Sequence, residues 1–167
     1  MNLLAKRIVI LLSDGVDEVD LTKIRRTVER EGAEVFTTTA LPQLVIETYD
    51  NDHRGKEVFI DLPIELVTCD LFDALVVPEG MESIDAICSM SEAISLVREF
   101  FDQGKPIVFS GAAHQIVAEQ GLQGGRVLCS SPGDTAKITQ FILEGSEYVT
   151  STNKTNHTSN RLEKVLS

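Results

Sequence analysis

Three short apolar runs constrain this chain more than anything else in its sequence: Ile8-Val9-Ile10-Leu11-Leu12, Ala74-Leu75-Val76-Val77 and Ile107-Val108-Phe109. Each is continuous, whereas a strand with one wet face would alternate apolar and polar residues. Strands of this kind are buried on both faces, so helices must cover the sheet on both sides. Each run ends in turn chemistry: Asp14-Gly15, Pro78-Glu79-Gly80 and Ser110-Gly111-Ala112. After the first, Leu21, Ile24 and Val28 recur at helical spacing among Lys, Arg and Glu, with Gly32 as a stop, which predicts an amphipathic helix over 18–31. Residues 33–38 then read as a second strand, closing a right-handed β-α-β unit. Further on, the pattern predicts a helix over 90–103, a short helix over 113–120 and a strand through Val127-Leu128, ending at Cys129. The repeated alternation predicts an α/β fold, a three-layer αβα sandwich around a doubly wound, mostly parallel sheet.

Two stretches fit this alternation less well. Residues 44–60 are polar at their centre with β-prone flanks and read as a hairpin on a sheet edge. Residues 150–160 are polar enough to form a mobile loop, with a last short helix over 161–166. At 167 residues the chain is expected to be a single domain over 1–167.

Charge narrows the function classes. A net charge of −11 argues against nucleic acid and against anionic membranes, because affinity for either comes from clustered Lys and Arg. No apolar stretch reaches transmembrane length, and the run at 8–12 ends without a small-residue cleavage site. The three cysteines, Cys69, Cys88 and Cys129, are odd in number and carry no Cys-x-x-Cys spacing. They call for neither a disulfide framework nor a zinc site, and a cytoplasmic location fits them. The glycine patterns that hold dinucleotide or nucleotide phosphates are missing, and the first strand-end loop carries Asp14, Asp17, Glu18 and Asp20, which would repel phosphate. No cofactor and no metal is called for.

In open α/β sheets, ligands sit beyond the carboxyl ends of the strands, so residues 14–20, 78–83 and 110–114 are expected to converge on one cleft. A phosphoacceptor receiver domain is one candidate, because Lys105-Pro106-Ile107-Val108-Phe109-Ser110 is similar to its switch strand. A receiver needs an aspartate at the end of its third strand, and here that strand runs into Val76-Val77-Pro78.

A second resemblance covers far more of the chain. The acidic loop after the first strand, Leu71-Phe72-Asp73-Ala74-Leu75-Val76-Val77-Pro78, Val97-Arg98-Glu99-Phe100-Phe101 and Gly104-Lys105-Pro106-Ile107 together resemble the PfpI/DJ superfamily, of the class I glutamine amidotransferase-like fold, over about residues 6–149. The resemblance implies an intracellular peptidase, a glyoxalase- or deglycase-type enzyme, or a stress protein. The shared device of such proteins is a cysteine on a strained strand-to-helix turn. Laid over Lys105-Pro106-Ile107, the family pattern puts that nucleophile at Gly111 and its successor at Ala112. Ser110 falls one residue early, and His114 lies beyond the family histidine, on the first turn of the next helix. The acid that partners the cysteine matches Asp20, and Asp17 matches the first acid of the same loop. Both also have an ordinary role as helix-start residues. The Pro-Gly-Gly turn that forms one arm of the oxyanion hole reads Pro78-Glu79-Gly80. In finer detail the chain is similar to the C-terminal domain of large-subunit catalases, which lacks the nucleophile.

The resemblance therefore implies no catalytic residue of the family type. What remains is a vestigial pocket of Asp17, Asp20, Glu79, Gly80, Ser110, Gly111, Ala112 and His114, with Glu79 expected to fill the space left open at Gly111. It further implies a homodimer that binds a small molecule or assembles with another protein, a catalase-like partner among the candidates. The alternative is a peptidase or glyoxalase-type hydrolase whose chemistry has moved to Asp20, Glu79 or His114.

Overall fold

A computed structural model of the chain describes residues 2–156, and their side chains as far as residue 145. The strand and helix order is β1 (Arg7–Leu11), β2 (Val16–Asp17), α1 (Glu18–Arg30), β3 (Glu34–Thr39), β4 (Val45–Asp50), β5 (His53–Phe59), β6 (Leu62–Pro63), β7 (Ala74–Val77), α2 (Met81–Ser89), α3 (Ser91–Asp102), β8 (Ile107–Ser110), α4 (His114–Gln120), β9 (Val127–Ser130) and α5 (Thr135–Asn156). Six strands form one sheet in the order β6-β3-β1-β7-β8-β9, and every pairing in it is parallel. The expected doubly wound sandwich is the observed one.

The continuous apolar runs owe their character to this sheet. Val9, Leu11, Leu75, Val77, Ile107 and Phe109 pack on one face with Ile84 and Ile87 of α2, Leu96, Val97 and Phe100 of α3 and Ile116 of α4. Their neighbours Ile8, Ile10, Ala74, Val76 and Val108 pack on the other face with Leu21, Ile24 and Val28 of α1 and Ile138 and Ile142 of α5. Side chains alternate across a strand, so a strand buried twice must be apolar at every position. At roughly 25 cal/mol per Å² of apolar surface, these two layers are the main favourable term in folding.

The hairpin at 44–60 forms, but not where the sequence reading put it. β4 and β5 pair antiparallel through a tight turn in which Asn51 and Asp52 both have positive φ, 47° and 63°, a conformation that Asn and Asp tolerate. Instead of joining the edge of the main sheet, β4 pairs with the two-residue β2 and makes a separate three-stranded sheet. The attachment is polar: Asp14 Oδ1 accepts from the Glu47 N–H at 2.9 Å, and Glu18 Oε2 from the Lys56 N–H at 3.2 Å. This anchors the hairpin above the start of α1, at the carboxyl end of β1. The edge of the main sheet is taken by β6 instead, where Pro63 is tolerated because an edge strand can spare a donor.

Helix α2 was not expected. It begins directly after Gly80 and is separated from α3 by the extended Met90. At the far end, α5 continues to Asn156, so helix occupies the first part of the 150–160 stretch read from sequence as a loop. The rest of that stretch and the short helix expected over 161–166 lie outside the described residues. No strand follows β9 among the described residues.

Candidate functional site

Strand order reverses around β1. From β1 the chain crosses through α1 to β3 on one side, while β7, β8 and β9 extend the sheet on the other. The crevice that such a reversal leaves lies at the carboxyl ends of β1, β7 and β8, where helices on opposite faces diverge. Three segments meet there: the β2–α1 start, the turn after β7 and the turn after β8.

Asp17 is the N-cap of α1, and its Oδ1 accepts from the Asp20 N–H at 2.8 Å, satisfying one of the amides that a helix start leaves open. Asp20 points back toward the sheet. Its residue is only 2% exposed, and its Oδ2 accepts from the Glu79 N–H at 2.8 Å. The Glu79 carbonyl in turn accepts from the Asp17 N–H at 2.8 Å. The β7 turn is thus fastened to the start of α1 by a carboxylate on one side and a backbone bond on the other. Gly80, which follows, has φ 138°, and a Cβ there would stand 2.5 Å from the Gly15 carbonyl oxygen. Only glycine fits so close to a neighbouring backbone.

The β8 turn is built differently. Gly111 has φ 54°, the left-handed region, and opens a short 3₁₀ turn over 111–113. A Cβ at Gly111 would overlap Oε1 of Glu79, lie 2.6 Å from its Cδ and 3.0 Å from Cγ of Pro132. The Glu79 side chain therefore fills the space beside Gly111, as expected from the paired residues. Its Oε1 accepts from the Ala112 N–H at 3.4 Å, a long hydrogen bond. Burial holds the Glu79 carboxyl above the usual range, and the charges of Asp20 and Asp17 add to the effect, while the Ala112 N–H works against it. The site thus favours a Glu79 that carries its proton more readily than a free glutamate would.

The remaining expected residues sit as follows. Ser110 ends β8 and is 1% exposed, and its hydroxyl has no hydrogen-bond partner in the described structure. The same holds for Oδ1 of Asp20. Ser110 is thus enclosed at the end of β8 and presents no exposed hydroxyl in this structure. His114 is exposed, and its Nδ1 lies 2.8 Å from the Gly111 carbonyl oxygen. A carbonyl only accepts, so the proton is on Nδ1, and the ring caps the turn.

Sequence reasoning missed several residues at this place. Pro132 reaches Gly111 because Ser110 pairs in register with Ser130 across β8 and β9; adjacency of those two strands was the only signal. A cleft of about 530 Å³ opens beside the turns, lined by Gly15, Asp17, Tyr49, Asp52, Gly80 and Glu82 among others. Tyr49 and Asp52 come from the hairpin, so placing that hairpin on the wrong sheet hid them.

The cysteines stand apart from these turns. The Cys69 thiol is pushed up to about 12, first by burial and then by the Glu99 carboxylate. Cys88 is pushed up to about 12 by burial and by its hydrogen bond with Glu119. Cys129 is exposed, yet local desolvation raises its thiol as well. None is poised as a thiolate near neutral pH, so Cys129 lacks the electronic signature of a redox-sensitive cysteine. Among the described residues, no group of three or more His, Cys, Asp or Glu side chains is arranged to hold a metal ion. No helix there is long and apolar enough to cross a membrane.

Comparison with known proteins places this geometry. Over 127 residues the chain is 29% identical to a protein named a deglycase from Pyrococcus abyssi, a match covering 76% of this chain and 73% of that one. It is 28% identical over 131 residues to catalase HPII of Pseudomonas aeruginosa, covering 74% of this chain but 18% of the catalase. Among solved structures, the VC2308 protein superposes with a TM-score of 0.73 at 19% identity, covering 89% of this chain and 92% of its own. Drosophila melanogaster DJ-1beta gives 0.70 at 18% identity, covering 97% and 96%. These structural likenesses support the fold, and the family model described as DJ-1/PfpI matches residues 6–164. A doubly wound sheet with its strand-end turns meeting at Gly111 and Glu79 is therefore this chain's version of a shared architecture: the chain belongs to the DJ-1/PfpI family.

Proposed function

We propose that this chain is a DJ-1/PfpI-family domain without the family nucleophile, acting by binding or assembly and not by covalent catalysis. Under this reading Gly111 stands where the reactive cysteine would be, with Asp20 in the place of its partner acid. One observation carries the proposal: the Glu79 carboxyl occupies the volume into which any side chain at residue 111 would extend. A carboxyl there also takes the Ala112 N–H that a developing oxyanion would need. An oxyanion beside Asp17, Asp20 and Glu79 would meet negative charge where the mechanism requires the opposite. The vestigial pocket then comprises Asp17, Asp20, Glu79, Gly80, Ser110, Gly111, Ala112 and His114.

The proposal includes a cytoplasmic homodimer. The likeness to a segment of catalase HPII supports an assembly role, since the matched part is a minor share of that protein's length. Light scattering on the purified chain tests the dimer, and a monomer at micromolar concentration rejects it.

A second reading is favoured by the relatives named deglycases and by the raised Glu79 carboxyl. In it, Glu79 or Asp20 works as a general acid or base on a small substrate, with His114 as a further candidate. Turnover assays with methylglyoxal and with a peptide separate the two. The leading reading expects no rate above the uncatalysed background; a rate that Asp20→Asn or Glu79→Gln abolishes would replace it with the second.

A further inference from the structure

Helices α1 and α5 cover the same face of the sheet, and between them runs a cleft of about 370 Å³ that shares no residue with the strand-end turns. It is lined by Thr27 and Arg30 of α1 and by Thr135, Ala136, Thr139 and Gln140 of α5, among others. Along α1, Lys23, Thr27 and Arg30 fall at i, i+4 and i+7, which is one stripe of a helix. Lys23 reaches the loop that leads into α5, with its Nζ 3.6 Å from where a Cβ would stand at Gly133.

The groups around this cleft are short of acceptors. Neither the Lys23 ammonium nor the Arg30 guanidinium meets a carboxylate among the described residues, in a chain of net charge −11. Thr135 and Ala136 open α5, and among the described residues no acceptor takes their N–H groups. The first amides of a helix carry partial positive charge, and the first turn of α5 holds no acid to offset it. Thr139, on the cleft wall, is only 9% exposed, and its hydroxyl has no partner. A helical threonine ordinarily gives that hydroxyl to a carbonyl one turn back, and a buried hydroxyl left unpaired costs free energy. The acids nearby are already engaged: Glu31 Oε2 accepts from the Asn2 N–H at 2.9 Å, and Asp134 Oδ2 lies 3.3 Å from Lys137 Nζ.

Two cations, two helix-start amides and three threonine hydroxyls thus surround one space with no unengaged acid. A tetrahedral oxyanion suits them best, because it accepts from several directions at once and a charge near −2 balances both cations. We propose that the α1–α5 cleft binds a phosphate group, as the free ion or as a phosphomonoester, with Arg30 and Lys23 supplying the charge and the start of α5 supplying donors. A single phosphate needs only this local balance, whereas a polyanion would meet the net charge of the whole chain. The site is independent of the reading of Gly111.

The test titrates the purified chain with inorganic phosphate, and with chloride at matched ionic strength, while NMR follows the backbone amides of Thr135 and Ala136 and Nε of Arg30. Saturable shifts are expected with phosphate and none with chloride. Arg30 is exposed, so Arg30→Gln leaves the fold intact, and it should weaken the apparent affinity at least about tenfold. Thr139→Val removes a hydroxyl that has no partner to lose. It should melt no lower than the unaltered protein in the absence of phosphate, yet bind phosphate several-fold more weakly. Methyl phosphate separates the two sources: tighter binding than inorganic phosphate marks a phosphomonoester site, and equal or weaker binding a site for the free ion. Amides that stay still overturn the proposal, as does undiminished binding by Thr139→Val. Equal shifts in Arg30→Gln and the unaltered protein overturn it too, since they reveal an adventitious ion only.

Discussion

The turns that close β7 and β8 face each other across the same crevice, yet they solve opposite problems. The β7 turn carries a functional group, Glu79, on a backbone tied down at both ends by Asp20 and Asp17. The β8 turn carries none: Gly111 supplies a left-handed bend and an open volume, and His114 caps it from outside. The difference teaches that the chemistry of a strand-end site belongs to the pair of turns. The space beside the residue without a side chain is taken by a side chain from the neighbouring strand end.

The largest effect is expected from forcing a side chain onto the empty turn. Gly111→Ala must adopt a left-handed backbone conformation, costing roughly 1–2 kcal/mol, and must also turn aside the Glu79 carboxyl, the far end of a flexible side chain held by one long hydrogen bond, which adds a smaller share. Thermal unfolding should record the drop. In the double variant with Glu79→Gly that smaller share should disappear and the conformational cost remain, so the two changes fall short of strict additivity. Strict additivity would mean that the turns do not share this space.

Asp20→Ala comes next. It strips the Glu79 N–H of its buried acceptor, and about 1–3 kcal/mol of stability should be lost in urea titration. Asp17→Ala should cost less, about 1 kcal/mol, the usual value of an N-cap. If Asp17 proved the more important of the two, the β7 turn would be held by the helix start and not by the Asp20 bridge.

The smallest effect is a pH dependence. Because the folded protein raises the Glu79 carboxyl above its unfolded value, folding favours the protonated form. That contribution is fully present below the ordinary glutamate value, about pH 4.3, and is lost as pH rises through the raised one. Stability of Glu79→Gln relative to the unaltered protein should therefore grow across that window and then level off. A flat difference across the same pH range would show that the Glu79 carboxyl is fully hydrated.

Why some of this was legible in sequence and some was not follows from the length scale of each interaction. The runs at 8–12, 74–77 and 107–109 announce a doubly covered sheet because burial on both faces acts on every residue in turn. The same runs end at Glu79 and Gly111, so their meeting could be expected from strand-end logic alone. The hairpin was misplaced because its partner strand is two residues long, Val16–Asp17, and no periodicity can appear in two residues. What anchors it besides that strand is a pair of carboxylates, Asp14 reaching the Glu47 N–H and Glu18 the Lys56 N–H, and isolated side-chain contacts of this kind leave no pattern. Helix α2 escaped for a related reason: within its nine residues the buried positions are Ser83, Ile84 and Ile87, too few to complete a helical stripe. Pro132 depends on the pairing of β8 with β9, a register that nothing within either strand specifies.

The strand order also carries a consequence for how the molecule comes into being. β1 precedes the other strands of its sheet along the chain, yet it lies inside that sheet, with Ile8 paired to Val35 on one side and to Ala74 on the other. Neither partner is near in sequence, and parallel pairing across such separations requires long loops to close before any contact rewards them. As the chain leaves the ribosome, its most apolar early segment must therefore wait for β7 to emerge before its second edge is paired. Hydrogen exchange should find the amides of β1 among the last to become protected during refolding and, once the sheet is complete, among the slowest to open.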